Sequence, residues 1–179
     1  MREFILYSIV AILTVLGLVA AVNFFGQGRD NQNLTAATAD LVTMVQNIQA
    51  VYAGQSFLGM NGGNGSLLII NGGMAPSDMV VDLGGGNMAL RNQFGDYVDI
   101  GDGYDGSGNS FTVSESSVPS SVCAKFATAF SGGGLKSLTV NDSQPLVPGG
   151  TGLTALNVTN VTKFCHTVND NLLTFEFGH

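Results

Sequence analysis

The stretch FILYSIVAILTVLGLVAAVNFF, residues 4–25, decides the architecture of this chain. It contains no charged residue, and its most polar side chains are Ser8, Thr14 and Asn23. The hydrocarbon core of a bilayer is roughly 30 Å thick and requires about 20 apolar residues in a helix. The segment therefore predicts a transmembrane helix at the N-terminus.

Two interpretations of this apolar segment stay open, a cleaved secretory signal and a retained anchor. The small residues Val19, Ala20 and Ala21 would suit a signal cleavage site. The apolar run is, however, longer than the roughly 7–15 residues usual in a signal peptide. Its length favours retention. We expect residues 1–25 to form the membrane half of a helix, and residues 26–179 to form its amphipathic half plus one globular head.

Composition limits what the head can do. The chain has 179 residues, 25 of them Gly, a net charge of −7 and only 11% charged residues. Once the span is set aside, this length suits one domain with a modest core. Six Lys and Arg residues in all argue against nucleic acid as a partner, because phosphate binding needs a basic face. The composition is typical of an exported, loop-rich protein.

The apolar pattern changes to helical spacing beyond a polar segment at residues 26–33. Steps of three and four residues join a one-sided stripe of Leu34, Thr38, Leu41, Val45, Ile48 and Tyr52. We expect its members other than Thr38 to pack on the head. The opposite face would carry Ala36, Asp40, Thr43, Asn47 and Ala50.

One long helix can join the span to this stripe, because no proline lies between Arg2 and Tyr52. Gly17, Gly26 and Gly28 are its weak points, since glycine destabilises a helix interior, and a bend or local melting is expected near Gly26 and Gly28. The helix should end at Gly54 in a left-handed conformation.

The remaining elements are predicted from shorter patterns. Residues 66–71 are apolar, and a buried strand and a helical turn both stay open. Alternation over residues 97–100 and 110–113 predicts a β-hairpin. Residues 119–131 have helical spacing between a proline and a glycine run. Residues 135–140 and 171–177 read as strands, the second of them central.

The two cysteines, Cys123 and Cys165, predict a disulfide. In an exported chain a pair without further ligands favours a bridge, whereas zinc requires four ligands. His166 beside Cys165 raises the idea of a metal or Cys–His site, but a surface histidine is the favoured interpretation.

Catalytic motifs are absent from the sequence. Asp99, Asp102 and Asp105 could be imagined as a calcium loop, but their spacing does not fit an EF-hand. Turn geometry at a hairpin tip is the favoured role of these residues. We expect no enzyme activity, no cofactor and no metal site.

The ordered combination of these features resembles the type IVb pilins, a branch that includes the toxin-coregulated pilin and the thin-pilus pilins of conjugative plasmids. The resemblance covers most of the chain. It lies in the apolar N-terminus, in residues 30–35, 51–55, 74–79 and 90–95, and in the late cysteine pair followed by a terminal strand.

This resemblance implies an α+β type IV pilin fold, in which a long N-terminal helix packs on an antiparallel sheet and a disulfide closes the C-terminal region. It also implies processing of a leader, residence in the bacterial inner membrane, and assembly by a pilus machinery into an extracellular homopolymer. A minor tip pilin would be a further partner. The filament core would then contain Phe4, Ile9, Leu16, Gly17, Ala20 and Phe24.

The N-terminus departs from the family pattern. Family members usually carry Glu at the fifth mature position, where its carboxylate pairs with the terminal amine of a neighbouring subunit. This chain has Glu3, preceded by Met1 and Arg2. If Met1 is the processed terminus, Met1 and Glu3 are the residues expected to make this pairing.

The leading functional hypothesis is therefore the major subunit of a type IVb pilus, serving adhesion, aggregation or conjugative contact. A minor pilin or pseudopilin is the alternative within the same superfamily. A monomeric, membrane-tethered binding module is the alternative from another class. A filament core needs small residues and a compensated glutamate, whereas a tether tolerates any apolar sequence.

Overall fold

The computed structural model describes residues 28–60, 64–130, 134–141, 143–166 and 170–178. The predicted span and the predicted boundary after residue 25 lie outside these ranges. Within them, no helix combines the length and the apolar character needed to cross a membrane.

Helix α1 covers residues 28–51 in the described part of the chain. One side of it joins the hydrophobic core through Ala37, Leu41, Met44, Val45 and Ile48. Leu34 and Tyr52 are partly buried against the same core. The helical turn ends at Gly54, which adopts φ +74° as expected for a helix C-terminus.

Two polar residues of α1 are more buried than helical periodicity predicts. Asp40 and Asn47 were expected on the side away from the head, but both are half-buried. The Asn47 amide donates to the Met74 carbonyl at 3.0 Å. The Gln93 amide donates to Asp40 at 2.7 Å. Loops of the head thus extend along the flank of α1, which helical periodicity alone does not reveal.

The head is built on six antiparallel strands in the order β1-β2-β3-β4-β6-β5. They are β1 Val80–Gly84, β2 Asn87–Arg91, β3 Tyr97–Asp102, β4 Ser110–Val118, β5 Leu135–Val140 and β6 Asn171–Gly178. The predicted hairpin is confirmed as β3 and β4. The predicted central position of the last strand is also confirmed, because β6 pairs with both β4 and β5.

Among the described residues, the head also has three shorter α-helices and a 3-10 helix at Gly152–Thr154. The α-helices are α2 Asn64–Asn71, α3 Ser120–Thr128 and α4 Val158–Phe164. The prediction of α3 is confirmed, and α2 settles the open assignment of residues 66–71 as a helix. The sequence analysis missed α4 and the β1–β2 hairpin. Strands β1 and β2 have five residues each and α4 has seven, too few for a clear periodicity.

Helix α2 covers part of the edge of β3. Strand β2 pairs with β3 only at Leu90↔Val98 and Arg91↔Tyr97. At one of these pairs, the Ser66 hydroxyl also donates to the Val98 carbonyl at 3.3 Å. A Cβ on Gly65 would lie 2.2 Å from the Ile100 carbonyl oxygen. Glycine at this position therefore permits the close approach of α2 to β3.

Candidate assembly interface

On the side of α1 that faces away from the core, Arg29 is the last exposed charged residue, and none follows it up to residue 51. Nine residues between positions 31 and 51 are exposed: Asn31, Gln32, Thr35, Ala39, Val42, Thr43, Gln46, Ala50 and Val51. All nine are small, apolar or neutral polar. We call this set the neutral face of α1.

A groove of about 430 Å³ runs along this face, between α1 and α3. It is lined by Leu34, Thr35, Thr38, Ala39, Val42, Lys125 and Ala129. Helix α3 is held beside α1 at one end, where the Ser121 hydroxyl donates to Asp30 and the Lys125 ammonium donates to Asn31. The groove thus has an apolar floor and one cation on its rim, a surface suited to an apolar partner.

The cysteines are not among the residues that line the groove. Cys123 is buried within α3, and Cys165 directly follows α4. The two residues form a disulfide with their Cα atoms 6.1 Å apart. The bridge therefore fastens α4 and the segment preceding it to the helix that borders the groove.

Two of the three aspartates considered for calcium binding make hydrogen bonds within the head. Asp102 accepts the Met60 backbone N–H at 2.7 Å. Asp105 accepts the backbone N–H and the hydroxyl of Ser107. These two hydrogen bonds are the main reason that the pKa of Asp105 is lowered. Across the ranges that the structure describes, no three His, Cys, Asp or Glu side chains are grouped to hold a metal ion.

His166 is exposed, and its backbone N–H donates to the Asn171 side chain at 2.6 Å. This contact anchors the chain just after the disulfide. The exposure of His166 agrees with its interpretation as a surface residue.

Two buried carboxyl groups escaped the sequence analysis. Glu176 on β6 accepts hydroxyl hydrogen bonds from Ser110 and Ser137, both at 2.8 Å. It therefore links β4, β5 and β6. Glu115 on β4 is also buried, but one of its oxygens has no hydrogen-bond partner among the described residues. Strand alternation could have placed Glu115 inward, because it follows Phe111 and Val113 at steps of two.

The residues predicted for the filament core and for the N-terminal pairing all lie outside the described ranges. They are Met1, Glu3, Phe4, Ile9, Leu16, Gly17, Ala20 and Phe24. Their roles stay predictions.

A family model described as Bundlin matches residues 27–174, which is most of the chain. The chain is a type IVb pilin of the Bundlin family. The resemblance found in the sequence is thereby confirmed.

The fold of this pilin is shared with a solved structure, "Crystal structure of type IV b pilin from Salmonella typhi". The TM-score is 0.62 at 20% identity, and the match covers 81% of this chain and 99% of that chain. The comparison with curated proteins gave no match.

Membership of the family sets the general role of this pilin. Pilins are structural rather than enzymatic proteins, and they assemble with identical subunits into extracellular pili. The long helix, the antiparallel sheet and the disulfide-closed C-terminal region predicted from the sequence are all confirmed for the described residues.

Proposed function

We propose that this pilin is the major subunit of a type IVb pilus and polymerises through its N-terminal helix into a surface filament. The neutral face of α1 is the observation that carries this proposal. The filament would serve adhesion, aggregation or conjugative contact between cells.

Self-association brings equivalent surfaces of identical subunits into contact. An exposed face of a helix in a monomeric protein is normally rich in charged residues. In a homopolymer, any charge in a contact between equivalent helices recurs in every subunit and must be compensated at every repeat. A face without charges avoids this cost, and small residues such as Ala39 and Ala50 let neighbouring helices approach closely.

The negative net charge of the chain makes an uncharged contact surface more important for self-association. With a net charge of −7, the absence of acidic residues from the neutral face keeps like charges out of the proposed contact. The apolar groove beside Val42 offers a docking position for a neighbouring helix. The membrane-half residues, among them Phe4, Leu16 and Ala20, would form the centre of the filament, with Met1 and Glu3 pairing between subunits.

The test is to express the chain with its export system, shear the cells and examine the released material by electron microscopy and mass spectrometry. Filaments in which this chain is the main component are expected. Filaments containing it only as a trace component would instead identify a minor pilin. Membrane monomers without filaments would favour a tethered module.

A matched pair of variants tests the neutral face itself. Val42 is 37% exposed, so Val42→Lys can be accommodated in the monomer. In a filament contact it would bury a charge, and we expect filament yield to fall at least about tenfold, equivalent to about 1.4 kcal/mol. Val42→Thr has a similar shape without charge and should retain filaments. Equal yields from the two variants would contradict the proposed contact.

A further inference from the structure

Glu115 occupies the middle of a row that is otherwise apolar. The row crosses five strands in register and consists of Leu90, Val98, Glu115, Leu173 and Val140. All five residues are buried, and Glu115 is only 1% exposed. A carboxyl group therefore lies where the sheet packs into the core.

The surroundings of this carboxyl favour its neutral form. Burial is the main cause that raises the pKa of Glu115 to about 8, and the negative charge of Asp40 adds to the effect. A hydrogen bond with the Asn92 side chain acts in the opposite direction. The Oε2 atom has no hydrogen-bond partner in the described structure. An ionised carboxylate here would be poorly solvated.

Two further acids, on other elements, lie beside the side-chain amide of Gln93. Asp40 belongs to α1, and Asp78 belongs to the segment between α2 and β1. The Gln93 amide nitrogen donates to both, at 2.7 Å to Asp40 and 3.2 Å to Asp78. Burial raises the pKa of Asp40, the Gln93 hydrogen bond lowers it, and the charge of Asp78 raises it.

The cations Arg91 and Lys125 bind other groups. The Arg91 Nε group on β2 donates to the Gly95 carbonyl, and its charge acts on Asp96. Lys125 on α3 donates to Asn31. Among the described groups, neither of these cations contributes to the pKa of Glu115.

We propose that Glu115, together with Asp40 and Asp78, forms a proton-dependent latch between α1 and the sheet. The latch holds α1 while the Glu115 carboxyl keeps its proton, and it weakens as rising pH favours the separated state, in which water lets the carboxyl ionise. Where the proposed function holds, the latch also links external pH to the rigidity of the pilus, because α1 is then the helix that joins each head to the filament.

The pH window follows from the two states of Glu115. In the docked state the carboxyl keeps its proton up to about pH 8. When α1 separates and water enters, the carboxyl should ionise near its ordinary pKa of 4.5. Between these values the docked state binds one more proton. Its equilibrium constant therefore falls by up to about tenfold per pH unit as pH rises, and levels off above about pH 8. Docking is strongest in acid.

The test is hydrogen exchange of the full chain in mild detergent between pH 5 and pH 9, measured by mass spectrometry. Dividing by the intrinsic exchange rate at each pH gives the opening equilibrium of the α1 amides. We expect this opening constant to rise by up to about tenfold per pH unit between pH 5 and pH 8. In Glu115→Gln, which cannot ionise, most of this rise should disappear.

Glu176→Gln is the matched control, because it alters the other buried glutamate and leaves the Glu115 cluster intact. It should retain the pH slope of α1. An unchanged slope in Glu115→Gln, or a flat profile in the wild type, would overturn the latch. Equal pH-dependent opening of β5 and β6 would also overturn it, since the effect would then be global. None of these measurements requires a filament, so they stay separate from the proposed function.

A second measurement keeps the proposal testable if Glu115→Gln does not fold. The titration of the Glu115 side-chain carboxyl in the wild type can be followed by carbon-13 NMR. An apparent pKa near 4.5 refutes the latch, and one near 8 supports it if the opening constant of α1 in the same wild-type protein levels off at the same pH.

Discussion

Loss of the disulfide should remove a large part of the stability of the head. Cys123 and Cys165 are separated by 42 positions, and closing a loop of that size restricts the unfolded chain by about 4 kcal/mol at 25 °C in the loop-entropy model. A domain of this size is typically stable by about 5–15 kcal/mol. Reduction should therefore leave a head that still folds but with a much smaller margin.

The assay is urea unfolding of the full chain in mild detergent, followed by circular dichroism, with the oxidised and reduced wild type compared directly. With a urea dependence of about 2 kcal/mol per molar, a loss of about 4 kcal/mol lowers the midpoint by about 2 M. Comparing the two redox states isolates the cross-link, because no side chain is shortened.

Three variants separate the cross-link from packing. Cys123→Ala, Cys165→Ala and the double variant all lack the bridge, so its contribution should appear in full in each single variant and should not add in the double. Cys123→Ala should be slightly the less stable single variant, because Cys123 is buried and Cys165 is partly exposed. A midpoint shift on reduction below about 0.5 M, or additive effects of the two single variants, would refute this reasoning.

Two further predictions concern close packing and buried polarity. Gly65→Ala should destabilise the head by about 2–3 kcal/mol, because its Cβ would meet the Ile100 carbonyl oxygen at 2.2 Å. The control for thermal unfolding is Gly28→Ala, whose Cβ meets nothing within 4 Å and which should be neutral or stabilising. Equal melting temperatures of the two variants would contradict the close approach of α2. Glu176→Gln should cost about 2 kcal/mol, because an amide NH2 replaces one of the two oxygens that accept hydrogen bonds from Ser110 and Ser137. Urea unfolding at neutral pH measures this loss, and a wild-type midpoint would show that the replaced hydrogen bond is dispensable.

Elements with a long or well-marked pattern were predictable from the sequence. The periodicity of α1, the start and stop signals of α3 and the alternation of β3, β4 and β6 each reflect local sterics that apply to a segment taken by itself. The β1–β2 hairpin carries no comparable signal, because its strands have five residues each and most of their side chains are at least partly exposed.

The secondary structure of residues 66–71 could not be predicted from their local sequence. Its apolar run suits either a strand or a helix. It is a helix in the structure, where Gly65 at its start lies against Ile100, in the part of β3 beyond its two pairs with β2. The same limit applies to Asp40 and Asn47, whose partners lie 53 and 27 positions away along the chain.

By itself the sequence determined the apolar N-terminal segment, the amphipathic helix that follows it, the cysteine pair and the resemblance to type IVb pilins. Only the tertiary structure decided that Glu115 lies between Val98 and Leu173 in a buried row, because strand register joins segments that are distant along the chain. The neutral face of α1 also needed the fold, since helical spacing identifies an apolar stripe but not how far the head extends around the helix. Local patterns specify elements, whereas long-range packing specifies which side chains meet.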